Sequence, residues 1–172
     1  TLAKSITEQF PKYPFGWKVL GAVFKQTGRL IESLAPSQKS VQLEPKDAEV
    51  QNNLGNTLDE LGRFKEAETS YKQAIALKPD YAKAHNNLGA ALQKMGRLKE
   101  AEESHRQALM LKHDYAEAHY NLGNLLQNLS QFEEAEASYR QAISFKQNFA
   151  LAHNNLGNTL EELGRFKEAE EN

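Results

Sequence analysis

Asparagine is the residue whose type and spacing in this sequence could support binding chemistry. One series recurs at a constant interval and a second follows it by three positions: Asn53, Asn87, Asn121 and Asn155, then Asn56, Asn124 and Asn158. A carboxamide carries two N–H donors and one oxygen acceptor, so a single asparagine can bond both the N–H and the C=O of an extended peptide residue. We call these seven residues the asparagine ladder.

The sequence contains no arrangement of residues that predicts catalysis. It lacks the phosphate loop G-x-x-x-x-G-K-S/T, the nucleophile elbow G-x-S-x-G and the zinc helix H-E-x-x-H. His85, His119 and His153 recur at the same interval as the asparagines. Packed helices lie about 8–10 Å apart, whereas zinc is bound by nitrogens about 2 Å away. We predict packing for these histidines, and no enzyme, metal site or cofactor in this chain.

Composition narrows the class of partner. The chain has 172 residues, of which 40% are hydrophobic and 26% charged, as expected for an ordinary soluble domain. Its 21 basic and 23 acidic residues leave a net charge of -2, which argues against nucleic acid as a partner. No run of about 18 apolar residues predicts a membrane span. The absence of cysteine is compatible with a reducing, cytoplasmic location.

An internal repeat with a 34-residue period organises the whole chain. The string NNLGNTLDELGRFKEAE at 52–68 recurs in similar form at 86–102, 120–136 and 154–170, and a fainter copy occupies 18–34. We therefore divide residues 1–172 into a half repeat, four full repeats and a truncated repeat: 1–13, then 14–47, 48–81, 82–115 and 116–149, then 150–172. A single repeat domain is the predicted organisation.

Each repeat has the apolar spacing of two amphipathic helices. In residues 48–81, one series of apolar residues at helical spacing ends at Leu61, and a second begins at Phe64. Gly62 lies between them and suits the left-handed conformation that commonly follows a helix. Pro79 ends the second helix. The sequence predicts helices throughout and no strand.

Small residues also recur with the repeat. Glycine does so in the first helices and alanine in the second: Gly21, Gly55, Gly89, Gly123 and Gly157, then Ala67, Ala101, Ala135 and Ala169. A larger side chain at these positions would hold the two helix axes apart. We expect these residues to lie where the two helices of a repeat cross closely.

These residues together resemble the tetratricopeptide (TPR) repeat. The resemblance covers essentially the whole chain and implies an all-α, right-handed superhelical solenoid of antiparallel helix pairs, whose first helices line a concave groove. The segment AHNNLGNTLEELGRFKEAE is similar in sequence to the TPR arms of O-linked N-acetylglucosamine transferases and of related bacterial multi-domain proteins. In those arms an equivalent row of asparagines binds peptide backbone, so the resemblance implies the same for the asparagine ladder.

Two residues depart from the repeat pattern, and each predicts a local change in structure. Pro36 falls inside a predicted second helix, where it removes one backbone donor and should kink or delay the helix. Ser130 replaces the glycine between two helices, which places a residue with a side chain in the left-handed turn.

Charged residues on the first helices are candidates for groove charge: Lys18, Asp59, Lys83 and Lys94. Some TPR domains resemble carboxylate clamps that hold the acidic C-terminus of chaperones. Lys18, Asn53 and Lys83 match that pattern, but Ala22 stands where asparagine is expected and Asn87 where arginine is expected. Without the arginine, bidentate capture of a carboxylate is weakened, so this alternative is disfavoured.

The leading interpretation is a protein-interaction module that binds an extended peptide through the asparagine ladder. A second interpretation is the substrate-docking arm of a larger glycosyl- or sulfotransferase. The third is a structural spacer or self-assembly scaffold, in which the same amides only bond neighbouring helices. Because the chain starts at Thr1 and stops at Asn172, partway through a second helix, we expect a fragment of a longer protein. The truncated end could also support end-to-end or helix-exchanged self-association.

Overall fold

The regular structure of the protein is α-helical throughout the described residues. It is seen in a computed structural model that describes residues 2–171. The helices in chain order are α1 (Leu2–Gln9), α2 (Pro14–Gln26), α3 (Leu30–Leu43), α4 (Ala48–Glu60), α5 (Phe64–Leu77), α6 (Ala82–Lys94), α7 (Leu98–Leu111), α8 (Ala116–Asn128), α9 (Phe132–Phe145), α10 (Ala150–Glu162) and α11 (Phe166–Glu171). The predicted all-α class is confirmed.

The helices begin at positions that follow the period of the sequence repeat. First helices start at Pro14, Ala48, Ala82, Ala116 and Ala150, and second helices start at Leu30, Phe64, Leu98, Phe132 and Phe166. The chain divides into two compact units, one ending at Ala91 and one beginning at Leu92. The prediction of a single domain over residues 1–172 stays a prediction.

In the unit that ends at Ala91, consecutive helices pack against each other. α1 packs on α2, α2 on α3, α3 on α4 and α4 on α5. The buried side chains include Leu20 from α2, Val50 and Leu58 from α4, and Tyr71 from α5. Short connections, such as that between α4 and α5, reverse the chain so that neighbouring helices form pairs.

The unit that begins at Leu92 is built in the same way. Helices from α7 to α11 pack in sequence, each on the next. Leu122 and Leu126 of α8, Tyr139 of α9, and Leu156 and Leu160 of α10 form one buried cluster. The apolar stripes read from the sequence are therefore core in both units.

Close crossing of a helix pair depends on a glycine opposite a tyrosine. A Cβ atom at Gly55 would lie 2.5 Å from Cε1 of Tyr71, and one at Gly123 would lie 2.6 Å from Cε1 of Tyr139. Neither distance can be tolerated by packed atoms. The ring of the second helix therefore lies directly on the backbone of the first helix, as expected from the recurring glycines.

The turn between the helices of a repeat is left-handed. Gly62 has φ 74°, and Ser130, which replaces glycine at the equivalent position, has φ 58°. Ser130 is thus held in a conformation that costs a residue with a side chain free energy. Helix α3 begins at Leu30 despite Pro36 in its interior, so the delayed start considered for this helix is not observed.

Candidate functional site

The asparagine ladder lies on the first helices α4, α6, α8 and α10. All its members are half-buried except Asn158, which is exposed. Half-burial means that each carboxamide is close to neighbouring helices and yet not wholly removed from solvent. The hydrogen bonds of each carboxamide therefore decide what it can offer to a ligand.

In the unit that ends at Ala91, Asn87 joins two first helices. Its Nδ2 donates to Oδ1 of Asn56 at 2.9 Å and to Oδ1 of Asn52 at 3.0 Å. The Asn56 oxygen also accepts a hydrogen bond from the hydroxyl of Tyr71 at 2.9 Å. One carboxamide oxygen thus connects α4 to its own second helix and to α6.

The unit that begins at Leu92 repeats this arrangement. Nδ2 of Asn155 donates to Oδ1 of Asn124 at 2.7 Å, and a longer contact of 3.4 Å joins it to the hydroxyl of Tyr120. The hydroxyl of Tyr139 donates to the Asn124 oxygen at 2.8 Å. Asn121 is half-buried on α8.

The two tyrosines are permanent donors in this network. Burial raises the pKa of Tyr71, and the nearby carboxylates of Asp59 and Glu60 add to the effect. Burial also raises the pKa of Tyr139. Both hydroxyls therefore stay protonated at neutral pH and act as donors. Tyr71 donates to the Asn56 oxygen, and Tyr139 has two acceptors at 2.8 Å, the Asn124 oxygen and Oε1 of Gln127. The asparagine pattern in the sequence does not by itself point to these tyrosines, although each lies fifteen residues after its partner, Asn56 or Asn124.

Several polar groups of the ladder have no partner among residues 2–171. No described hydrogen bond uses Nδ2 of Asn56 or Asn124, or Oδ1 of Asn87. The side chain of Asn53 makes none, because Lys18 and Ala22 stand where Asn52 and Asn56 stand in the next repeat. Some hydrogen-bonding groups of the asparagine ladder are therefore used within the fold, and others remain available to a ligand.

The residues expected to contribute groove charge are in different environments. Nζ of Lys18 lies 2.9 Å from Oε2 of Glu49, which neutralises its charge locally. Lys83 and Lys94 are exposed, and Asp59 is half-buried on α4. Lys18 is therefore less available to an anionic ligand than an unpaired lysine.

The recurring histidines fasten the loop before each first helix. A side chain at the fourth position of every repeat donates to the backbone carbonyl six residues earlier, over 2.8 to 3.3 Å: Trp17, Gln51, His85, His119 and His153. A carbonyl oxygen only accepts, so Nε2 of each histidine carries a hydrogen. Burial lowers the pKa of His119, which favours its neutral form. This local bond accounts for the histidine spacing.

Residues 2–171 contain no group of three or more histidine, aspartate or glutamate side chains that could hold a metal ion. In that part of the chain no helix combines the length and the apolar character needed to cross a bilayer. Charged side chains instead pair at repeated positions, as Arg63 does with Glu66 and Arg165 with Glu168, each at 2.6 Å. Exposed pairs of this kind contribute little stability.

Three family models match the chain, and each of them describes the same repeat. One described as "TPR repeat" matches residues 59–96. Two described as "Tetratricopeptide repeat" match residues 82–115 and 116–149, and residues 37–69 and 138–171. The chain belongs to the tetratricopeptide repeat family. No curated protein matches it.

Solved structures share this TPR fold. MamA is 26% identical, with 88% of each chain covered and a TM-score of 0.76. TTC0263, a thermophilic TPR protein of Thermus thermophilus, is 23% identical over 91% of this chain and 86% of its own, with a TM-score of 0.79. YrrB, described as a TPR protein with an unusual peptide-binding site, is 20% identical over 98% of this chain and 87% of its own, with a TM-score of 0.70.

Proposed function

We propose that this chain is a non-catalytic protein-interaction module, and that an extended peptide binds along its first helices through the open groups of the asparagine ladder. The family supports the general part of this proposal, because every matched family model describes a repeat and none describes an enzyme. The peptide-binding site named for YrrB, which has the same fold, is consistent with it.

The observation that carries the proposal is the head-to-tail pairing of two asparagines. Nδ2 of Asn87 donates to Oδ1 of Asn56 at 2.9 Å, which leaves the N–H groups of Asn56 and the oxygen of Asn87 without a described partner. A peptide unit needs one donor for its C=O and one acceptor for its N–H. The pair formed by these two residues supplies both.

The spacing of helices sets how often such a pair can contact a ligand. Packed helices are about 10 Å apart and an extended chain advances about 3.3 Å per residue, so each repeat would contact roughly every third ligand residue. Each bond contributes a net ~0.5–1.5 kcal/mol, much of it offset by ordering the peptide. We expect micromolar affinity, with little dependence on the side chains of the ligand.

The substitution Asn56→Asp tests this proposal directly. A carboxylate keeps an oxygen in place for Asn87 and Tyr71, but it removes the Nδ2 donor. Binding to an array of random dodecapeptides should fall about tenfold, which corresponds to the loss of one good hydrogen bond. The midpoint of urea unfolding should change little, because the internal bonds remain.

Gln73→Glu is the matched control. It makes the same amide-to-acid change at an exposed position of the second helix α5, away from the ladder. Peptide affinity should be unchanged in this variant. Equal losses in the two variants would indicate a general effect of negative charge and would contradict a specific role for Asn56.

A scaffold without a ligand is the second candidate, and one observation favours it. Asn87 uses its N–H groups within the fold, on Asn52 and Asn56. If the wild-type chain binds no peptide of the array, the scaffold interpretation is correct. If peptides bind and Asn56→Asp leaves that binding unchanged, the asparagine ladder does not carry the binding and the proposal is wrong.

A further inference from the structure

A pocket lies between α2, α3 and α4, in the unit that ends at Ala91. It has a volume of about 180 Å³, and its lining includes Gly21, Ala22, Ser37, Ser40 and Asn53. A dry cavity of about 150 Å³ is large enough to hold benzene. The pocket therefore has room for one aromatic ring.

The pocket exists because the first full repeat lacks a tyrosine. Ser37 occupies the position in that repeat that Tyr71 occupies in the next one. The ring of Tyr71 lies so close to Gly55 that a Cβ there would be 2.5 Å from it, whereas the nearest atom to a Cβ at Gly21 would be the Ser37 hydroxyl oxygen, at 3.0 Å. The first full repeat therefore has a glycine, Gly21, that leaves space for an aromatic ring, but Ser37 does not fill that space.

Polar groups in the lining also lack partners. The Asn53 side chain makes no hydrogen bond with a described residue, and the hydroxyl of Ser40 has none although Ser40 is only 2% exposed. In the next repeat the tyrosine hydroxyl donates to Asn56, but the equivalent residue here is Ala22. Buried polar atoms are rarely left without a partner. The occupant should therefore carry a hydroxyl at the end of its ring.

Charge at the pocket favours a neutral occupant. Lys18 and Lys25 both line it. Each is ion-paired with a glutamate of α4: Lys18 with Glu49 at 2.9 Å and Lys25 with Glu60 at 2.7 Å. The lysine charges are therefore balanced, so a carboxylate gains little there over an uncharged phenol.

We infer that this pocket binds a tyrosine side chain of the peptide ligand, with the ring against Gly21 and Ala22 and the hydroxyl hydrogen-bonded to Asn53. The inference rests on the proposed function, since the bound peptide supplies the tyrosine. It adds side-chain selectivity at one repeat to a ladder that otherwise contacts only backbone.

The probe for this pocket is p-cresol, which is the tyrosine side chain without its backbone. Titration followed by backbone amide chemical shifts should give a dissociation constant on the order of 1 mM, with the shifts centred on α2, α3 and α4. Toluene, which lacks the hydroxyl, and 4-methylbenzoate, which carries a charge instead, should each bind about tenfold more weakly.

Three variants separate the contributions of the pocket. Ser37→Tyr fills the pocket from within and should weaken p-cresol binding by more than about tenfold, whereas Ser37→Ala leaves the space and should preserve binding. Asn53→Ala should abolish the preference for p-cresol over toluene. Because the Asn53 side chain makes no described hydrogen bond, this variant tests the inference even if Ser37→Tyr does not fold.

Failure of this inference can be told apart from failure of the proposed function. Peptides that bind while p-cresol produces no localised shifts would overturn the tyrosine pocket and leave the peptide proposal intact. Tighter binding of 4-methylbenzoate than of p-cresol would overturn it as well. If p-cresol binds as expected and the peptides that bind contain tyrosine more often than the array does, the inference is supported.

Discussion

The carboxamide nitrogen of Asn155 lies 2.7 Å from the carboxamide oxygen of Asn124. That oxygen also accepts the hydroxyl of Tyr139, at 2.8 Å. A single asparagine therefore joins the second helix of its own repeat to the first helix of the next. A hydrophobic residue in its place would pack without directing either neighbour.

Asn155→Ala should lower the free energy of unfolding by about 1 kcal/mol, because the Asn124 oxygen loses one of its two donors and the hydrogen bond between α8 and α10 is removed. Asn158→Ala is the control: this side chain is exposed and makes no described hydrogen bond, so the change should stay below about 0.5 kcal/mol. Urea unfolding followed by circular dichroism measures both. Identical midpoints for the two variants would show that the bond between Asn155 and Asn124 adds no stability.

Ser130→Gly should stabilise the protein by roughly 0.5–1 kcal/mol, because glycine has no side chain and adopts a positive φ without a steric clash. The observed φ of 58° at Ser130 provides the basis for this prediction. The melting temperature should rise by about 1–4 °C for a chain of this size. The reverse change, Gly62→Ser, should lower it by a similar amount, and a Ser130→Gly variant that melts no higher than wild type would contradict the prediction.

Gly55→Ala should destabilise the protein by about 1–3 kcal/mol, since its Cβ would lie 2.5 Å from the ring of Tyr71. Gly21→Ala is the matched substitution in the first full repeat, where the nearest atom is the Ser37 hydroxyl at 3.0 Å. Alanine is favoured over glycine in a helix by about 1 kcal/mol, so this variant should be close to neutral. Thermal unfolding of the pair measures the difference, which should be absent if the tyrosine ring can move aside.

His105 predicts a pH dependence of stability. The side chain is fully buried, and burial lowers its pKa to about 4. An unfolded histidine titrates near pH 6.5, so the unfolded chain binds more protons than the native chain between about pH 6.5 and pH 4. Stability should therefore fall as the pH falls through this window.

The variant His105→Gln isolates this contribution, because every other titratable group is the same in both proteins. Between pH 7.5 and pH 4.5, wild type should lose about 2–3 kcal/mol more than the variant. Chemical unfolding at the two pH values measures the difference. Parallel losses in wild type and variant would mean that His105 is protonated in the native state.

Local features of the fold were predictable from the sequence. Gly62 and its equivalents marked a left-handed turn, because glycine adopts a positive φ without steric cost, and the same register identified Ser130 as the position where a residue with a side chain must adopt it. The apolar spacing of each repeat likewise predicted a buried face on each helix, and the observed core includes Leu58 and Tyr71. The effect of Pro36 was less predictable, since packing on neighbouring helices can maintain a helix that contains a proline.

The sequence established the repeat, the paired helices and the one face that carries the asparagines, because spacing along a helix alone decides which side chains share a face. Only the tertiary structure decided which atoms of those asparagines are in use. Asn87 bonds Asn52 and Asn56, whereas Asn53, for which Lys18 and Ala22 occupy the corresponding positions, makes no described side-chain hydrogen bond. The physical reason is that a hydrogen bond requires two groups at the correct distance, and the second group comes from another helix.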